Sequence, residues 1–186
     1  LSRGLGDVYK RQGYGFMNIL YCGDKPMQKG ILLSSMSLIK NVDEPLNIYI
    51  LTVDYREKGI NYKPVDKAFA KYLKEKLNKS DIKVNIFLVD VTRYFVEELP
   101  EANMQSRFTA CCMLRLFADK TDIKDRVLYL DTDVLCRKDF RDFYYQNMDG
   151  IEIAGVSDYY GRWLFGDGYI NSGVMLMNMR MIRQNG

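Results

Sequence analysis

Apolar residues recur along the chain with two spacings, and together these spacings predict alternating strands and helices. Short apolar or alternating runs predict strands at Asn18–Cys22, Leu46–Val53, Ile82–Val89, Arg126–Leu130, Glu152–Val156 and Gly173–Met177. Apolar residues three and four positions apart predict helices around Ile31–Ile39, at Val65–Leu77, at Ser106–Asp119 and around Asp139–Tyr145. Strands that alternate with helices indicate an α/β fold with a parallel or mixed sheet.

The two ends of the chain depart from this regular pattern. Residues 1–16 contain several glycines and show no clear period, so we expect a flexible or non-native leader there. The pattern stops at Met179–Gln184, which looks like the start of a helix with no strand or tail after it. We therefore expect residues 17–186 to form one domain that is incomplete at its C-terminus.

Composition excludes several classes of protein. The chain is 47% apolar and 27% charged with a net charge of +3, which is ordinary for a globular domain and too weak for a nucleic-acid partner. No apolar stretch approaches the roughly 20 residues of a membrane span. The sequence has no histidine, so His-based triads and zinc fingers are excluded within it. Four cysteines without a C-x-x-C pair indicate reduced thiols and a cytoplasmic location.

The most informative stretch is Asp131-Thr132-Asp133, which directly follows the apolar run Val127–Leu130. In an extended chain, residues two apart project to the same side, so both carboxylates would point together at the strand's C-terminal end. Open α/β sheets bind ligands at that end. Two like charges this close need a cation, a shared proton or water. The pair therefore indicates either a divalent cation that holds a diphosphate or a strand-end turn with capping aspartates.

Three further positions carry candidate chemistry before the end of the predicted sheet. Asp24 follows Gly23 at the first β/α turn, where a carboxylate accepts hydrogen bonds from a base or ribose, or caps the next helix. Arg115 interrupts an apolar helix face and pairs either with a structural carboxylate or with a phosphate or site aspartate. Asp158 ends a strand, either near an acceptor hydroxyl or in solvent.

The last candidates lie around the final predicted strand. Asn171 and Ser172 stand between two glycines, where an amide and a hydroxyl can contact a sugar, or where the chain simply turns into the strand. Trp163 lies in a predicted glycine-punctuated loop and either stacks on a sugar face or serves as a surface anchor.

The order of these segments resembles the family 8 retaining glycosyltransferases, which include lipopolysaccharide galactosyl- and glucosyltransferases and glycogenin. The similarity runs from about Met17 to the C-terminus. Its most specific element is the apolar strand with Asp131-Thr132-Asp133, followed by Asn171-Ser172-Gly173-Val174. The resemblance implies a GT-A type nucleotide-diphosphosugar transferase fold, with a mixed, mostly parallel sheet flanked by helices. Residues 17–186 would be its N-terminal, nucleotide-sugar-binding part.

The resemblance also implies roles for individual residues. Asp131 and Asp133 correspond to the ligands of Mn²⁺ (or Mg²⁺), and Asp131 to a residue that contacts the ribose or sugar of the donor. The other donor positions implied are a uracil-binding aspartate, an arginine that orients the sugar and pyrophosphate, and two residues on the donor sugar: Asp24, Arg115, Asn171 and Ser172. Asp158 matches an acceptor-side aspartate more loosely.

The sequence departs from the family pattern at two points. Pro26-Met27 stands where relatives often have Asn-Tyr, so the aromatic stack on the base is not expected here. The family's third metal ligand is a histidine in a downstream H-x-x-G-x-x-K-P-W-like segment, which this sequence lacks. The metal site expected from the resemblance is therefore incomplete, and the chain itself could be inactive.

These observations lead to one functional prediction and two alternatives. We expect a metal-dependent transferase that moves a hexose from a UDP-sugar to a saccharide acceptor, of the glycan or lipopolysaccharide type, with retention of configuration. Peripheral membrane association through a C-terminal region is compatible with the resemblance. The first alternative is a haloacid-dehalogenase-like phosphohydrolase with Asp131 as the nucleophile. The second is an inactive remnant that binds nucleotide sugars.

Overall fold

The computed structural model describes residues 15–57, 59–78, 80–98 and 110–185. Most of the predicted leader at residues 1–16, and residues 106–109 at the start of one predicted helix, lie outside the described residues.

In the part of the chain that the structure describes, six strands form one sheet in the order β3-β2-β1-β4-β6-β5. Their bounds are β1 Met17–Cys22, β2 Leu46–Thr52, β3 Val84–Asp90, β4 Arg126–Leu130, β5 Ile153–Ser157 and β6 Ile170–Asn178. The first four strands in this order are mutually parallel, whereas β6 runs antiparallel to both β4 and β5. The predicted α/β class with a mixed, mostly parallel sheet is confirmed, and every predicted strand lies within two residues of its expected start except β6.

Helices connect the strands and cover the sheet. The α-helices are α1 Gln28–Asn41, α2 Lys67–Leu77, α3 Thr92–Glu97, α4 Arg141–Tyr144, α5 Tyr159–Phe165 and α6 Met179–Asn185. Among the described residues, Lys25–Met27 and Ala110–Lys120 form 3₁₀ helices. The longer one replaces the predicted α-helix at Ser106–Asp119, and Leu116, expected on its apolar side, is 61% exposed. Its buried Cys111, Leu114 and Phe117 follow the three-residue period of a 3₁₀ helix.

The core lies on both faces of the sheet because β1 is buried throughout and β4 is buried from Val127 to Leu130. Along β4, Val127 and Tyr129 face one apolar cluster, which contains Phe117 from the long 3₁₀ helix. Leu128 and Leu130 face the opposite cluster, together with residues of α1. Because side chains alternate between the two faces, this pattern determines on which face of the sheet the side chain of Asp131, the first residue after β4, lies.

An amide ladder crosses the three strands β1, β2 and β3 near their N-terminal ends. The side chain of Asn85 donates to Asn47 Oδ1, and that of Asn47 donates to Asn18 Oδ1, each at 3.0 Å. Asn18 in turn donates to the Arg126 carbonyl at 3.0 Å. The three asparagines occupy matching positions in the parallel register, so each amide satisfies its neighbour inside the sheet.

Two segments differ from the predicted pattern near the last strands. The predicted loop around Trp163 is helix α5, whose glycine, Gly161, is buried against the Tyr169 ring rather than marking a turn. Strand β6 begins at Ile170, three residues before the predicted strand, so Asn171 and Ser172 belong to the strand itself. The short helix α3 was not predicted.

Candidate active site

The C-terminal end of β4 places Asp131 against a tyrosine of the same strand. Tyr129 and Asp131 are two residues apart and therefore project to the same face. The Tyr129 hydroxyl donates to Asp131 Oδ1 at 2.5 Å. Burial and the neighbouring carboxylate raise the pKa of Tyr129, so its hydroxyl stays protonated and acts as the donor. The Oδ1 atom of Asp131 is thus fixed by a hydrogen bond from a buried residue of β4.

Asp133 lies in a turn rather than on an extended chain. The Val134 amide donates to the Asp131 carbonyl at 3.1 Å, which closes the turn directly after β4. The argument that both carboxylates share one side because the chain is extended is therefore wrong for Asp133. This residue is exposed, and no hydrogen bond or ion pair of its carboxylate occurs within the described ranges. Its carboxylate is available to solvent and to ligands.

Arg115 reaches the same place from the long 3₁₀ helix. Its guanidinium lies 5.0 Å from the centre of the Tyr129 ring, and its Nη1 donates to the Ser172 carbonyl at 2.9 Å. The same nitrogen is 3.9 Å from Asp131 Oδ1, and the side chain is only 16% exposed. Sequence analysis left open whether Arg115 pairs with a structural carboxylate or with a phosphate or site aspartate. The carboxylate beside it is that of Asp131, which is the candidate site aspartate.

Strand β6 completes this side of the site because it pairs antiparallel with β4. The Asp131 amide donates to the Gly173 carbonyl at 2.8 Å, which extends the ladder beyond β4. A Cβ atom on Gly173 would lie 2.8 Å from Asp131 Oδ2 and 3.1 Å from Asn171 Oδ1. Two oxygen atoms therefore border the space left by the missing side chain, and one of them, Asn171 Oδ1, also accepts from the Gly173 amide at 2.9 Å.

Asp24 lies at the end of β1, the strand that pairs with β4. It precedes the 3₁₀ helix Lys25–Met27, but its side chain makes no capping hydrogen bond there, so the capping alternative is wrong. The residue is only 6% exposed, and burial raises the pKa of its carboxyl. A buried carboxyl of this kind is costly unless a ligand uses it, which makes it a candidate binding group.

Asp158 follows β5 and borders the same end of the sheet. Its Oδ1 accepts from the Gly161 amide at 2.7 Å, so it caps helix α5, a role that sequence analysis missed. Its Oδ2 lies 3.4 Å from the side-chain Nδ2 of Asn171, and this contact connects Asp158 to β6. A groove of about 430 Å³ runs beside it, lined by Val156, Ser157, Asp158, Tyr159, Tyr160, Asn171 and Val174.

The carboxylate and amide oxygens at this strand end are of the kind that hard cations bind. Asp131 Oδ2, Asn171 Oδ1 and the exposed Asp133 carboxylate are oxygen ligands of the type that Mn²⁺ and Mg²⁺ take. Within the part of the chain that the structure describes, no three or more Cys, Asp or Glu side chains group closely enough to hold a metal by themselves. The described residues therefore supply at most two carboxylates at this strand end, and a cation there would need further oxygen ligands.

Gly30 is a second structural residue that sequence analysis missed. A Cβ at this position of α1 would lie 2.5 Å from the Thr132 carbonyl oxygen. Only glycine lets the helix approach the Asp131–Asp133 turn this closely. The available signal was a glycine directly before the helical pattern that begins at Ile31.

Comparison with known proteins identifies the family. The family model "Glycosyl transferase family 8" matches residues 18–186, which is most of the chain. The chain belongs to glycosyl transferase family 8. This membership confirms the family resemblance and removes the phosphohydrolase alternative.

Solved structures of other glycosyltransferases share the fold. The galactosyltransferase LgtC, solved with donor and acceptor sugar analogs, superposes with a TM-score of 0.73 at 21% identity, covering 90% of this chain and 60% of LgtC. GlyE of Streptococcus pneumoniae TIGR4 gives a TM-score of 0.63 at 21% identity, covering 91% of this chain and 37% of GlyE. The mixed sheet with its flanking helices is thus of the GT-A type, as predicted.

A relative in sequence is glycosyltransferase GlyA of Streptococcus pneumoniae serotype 4 (strain ATCC BAA-334 / TIGR4). It is 25% identical over 158 residues, which are 79% of this family 8 chain and 19% of GlyA. The chain thus spans about a fifth of this relative and less than two thirds of LgtC. Among the described helices, none is both long and apolar enough to cross a membrane.

Proposed function

We propose that the protein is a metal-dependent hexosyltransferase that moves a hexose from a UDP-sugar to a saccharide acceptor with retention of configuration. The observation that carries this proposal is the convergence of Arg115, Asp131 and the Asn171–Gly173 segment at one end of the sheet. A cationic guanidinium beside carboxylate and amide oxygens suits a diphosphate held through a divalent cation. Family membership supports the same reaction class.

Each donor-site residue has a distinct part in this proposal. Asp131 and Asp133 would hold Mn²⁺ or Mg²⁺, which supplies Lewis-acid stabilisation of the UDP leaving group when bound. Arg115 is fixed by Tyr129 and Ser172, so its charge is oriented before the donor arrives. Asp24 would accept hydrogen bonds from the uracil base.

The donor sugar and the acceptor would meet beside β6. Asn171 and Ser172 are exposed at the start of this strand, where their polar groups can contact the sugar of the donor. The groove beside Asp158 would receive the acceptor. Tyr159 and Tyr160 of helix α5 line this groove, and these two rings and that of Trp163 on the same helix are 83%, 79% and 86% exposed, as expected of rings that stack on sugars.

Three further parts of the proposal concern the whole protein. Residues 17–186 would form the nucleotide-sugar-binding part of the family 8 domain, supported by the family match over nearly the same range. A cytoplasmic location is supported by the free thiols of Cys22, Cys112 and Cys136. The acceptor would be a glycan or a lipopolysaccharide-type saccharide.

UDP release from UDP-hexoses in the presence of Mn²⁺ and a saccharide acceptor tests this function. We expect release with the wild-type protein and a loss of about 100-fold or more in the Asp131→Asn/Asp133→Asn double variant, because two metal ligands are removed. Asp122→Asn is the matched control, since Asp122 is an exposed carboxylate in the turn before β4, at the opposite end of that strand. It should retain wild-type activity.

The outcomes separate the proposal from its remaining rival. Unchanged UDP release in the double variant would show that the two aspartates do not hold a metal needed for turnover. Tight UDP binding by the wild-type protein without any release from UDP-glucose, UDP-galactose or other UDP-hexoses would favour an inactive nucleotide-sugar-binding protein.

A further inference from the structure

Tyr129 is a buried residue whose hydroxyl donates a hydrogen bond to Asp131, the candidate metal ligand. The ring lies in the apolar cluster on one face of the sheet and is 1% exposed. Tyr129 lies near the end of β4, and Asp131, two residues later, projects to the same face of the sheet. The Tyr129 hydroxyl is therefore next to the Asp131 carboxylate. The 2.5 Å distance to Oδ1 is that of a short hydrogen bond to a charged acceptor.

Arg115 packs on the Tyr129 ring but makes no hydrogen bond to Asp131 Oδ1, the atom to which the Tyr129 hydroxyl donates. The guanidinium covers the ring at 5.0 Å, and the Arg115 Nη1 donates to the Ser172 carbonyl. The same nitrogen remains 3.9 Å from Asp131 Oδ1, beyond hydrogen-bonding distance. The orientation of the carboxylate is therefore fixed by the tyrosine hydroxyl, while the arginine contributes charge.

The two oxygens of Asp131 consequently have different surroundings. Oδ1 accepts from Tyr129, whereas Oδ2 faces the space at Gly173 that Asn171 Oδ1 also borders. Groups that hydrogen-bond a metal ligand fix its orientation and raise the affinity of the site. We propose that Tyr129 is a positioning residue of the metal site, which holds Oδ1 of Asp131 so that Oδ2 is presented toward Gly173. This inference rests on the proposed metal-dependent function.

Tyr129→Phe removes the hydroxyl and keeps the ring. The ring would still pack in the core and stack against the Arg115 guanidinium. Asp131 would keep access to water because its side chain is 41% exposed. No buried acceptor is left without a partner, so thermal unfolding without metal should change little. Tyr21→Phe is the matched control, since Tyr21 is a fully buried tyrosine on the adjacent strand β1, and its hydroxyl donates to Ser34 at 2.8 Å.

The test is a titration of Mn²⁺ in the presence of UDP, followed by the loss of the free Mn²⁺ electron paramagnetic resonance signal. We expect Tyr129→Phe to weaken Mn²⁺ binding about 10- to 100-fold. Tyr21→Phe should bind as the wild type does, and Asp131→Asn should show the largest loss. In a UDP-release assay, Tyr129→Phe should raise the Mn²⁺ concentration needed for half-maximal rate more than it lowers kcat at saturating Mn²⁺.

The results distinguish this inference from the function on which it rests. If the wild type and Tyr129→Phe bind Mn²⁺ equally while Asp131→Asn does not, the positioning role is overturned and the metal site stands. If the wild type itself binds no Mn²⁺ with UDP, the proposed function and the positioning role are both overturned. A kcat loss in Tyr129→Phe that saturating Mn²⁺ does not relieve, with wild-type Mn²⁺ affinity, would also contradict the inference.

Discussion

At the scale of single residues, the missing side chain of Gly173 matters as much as the side chains around it. A methyl group there would press on Asp131 Oδ2 and Asn171 Oδ1, at 2.8 and 3.1 Å. We expect Gly173→Ala to weaken Mn²⁺-dependent UDP binding about tenfold, because displacing packed groups costs about 1–3 kcal/mol. Isothermal titration calorimetry with UDP and Mn²⁺ measures this loss.

Gly168→Ala provides the control for that substitution. It lies a few residues earlier, and a Cβ there would meet no atom within 4 Å. Its UDP affinity should equal that of the wild type. Equal affinities for both alanine variants would show that the space at Gly173 does not belong to the binding site.

Asp24 links the site to the pH dependence of stability. Burial raises the pKa of its carboxyl, so the folded state retains its proton more strongly than the unfolded chain. Its contribution to the free energy of unfolding therefore falls as pH rises from the ordinary aspartate pKa of about 3.9, and is constant above the raised folded pKa. Asp24→Asn should remove this fall and stabilise the protein near pH 7, measured by urea unfolding across pH.

The same Asp24→Asn variant should lose affinity for UDP by about 10- to 100-fold, because a hydrogen bond to a charged acceptor contributes about 1.5–3 kcal/mol. A gain of stability with a loss of binding is typical of a functional residue. If Asp24→Asn binds UDP as the wild type does, the base-binding role is excluded.

At the scale of elements, the asparagine ladder ties β1, β2 and β3 into one register. Asn47→Ala removes the central amide and leaves Asn18 Oδ1 and the Asn85 amide without their partners inside the sheet. We expect a loss of about 1–3 kcal/mol in the free energy of unfolding, measured by urea titration. Asn61→Ala is the control because Asn61 is exposed, and a similar loss in both variants would contradict the ladder's role.

Elements with a strong apolar period were predictable, and elements shaped by one close contact were not. Strands β1 to β4 are continuous or alternating apolar runs, so their existence followed from burial. Helix α5 was missed because its exposed aromatic residues give no amphipathic pattern, and because Gly161 serves packing against Tyr169. The early start of β6 was missed because polar residues open the strand at the site.

At the scale of the whole molecule, the site depends on strand order. Asp24 and Asp131 could be placed at one sheet edge from sequence, because both follow buried strands that end at the same side when parallel. The antiparallel insertion of β6 next to β4, which brings Asn171 and Gly173 to Asp131, has no local signal. The 3₁₀ form of the Arg115 helix and its stacking on Tyr129 are likewise products of tertiary packing.

The central claim is that this strand-end cluster binds a nucleoside diphosphate through a divalent cation. Its most direct test is calorimetric binding of UDP to the wild-type protein and to Asp131→Asn, each with Mn²⁺ and with EDTA. We predict that EDTA weakens UDP binding to the wild type about 100-fold, since the cation contributes several kcal/mol, and that Asp131→Asn shows the same loss even with Mn²⁺. Equal UDP affinity in all four measurements would contradict the account.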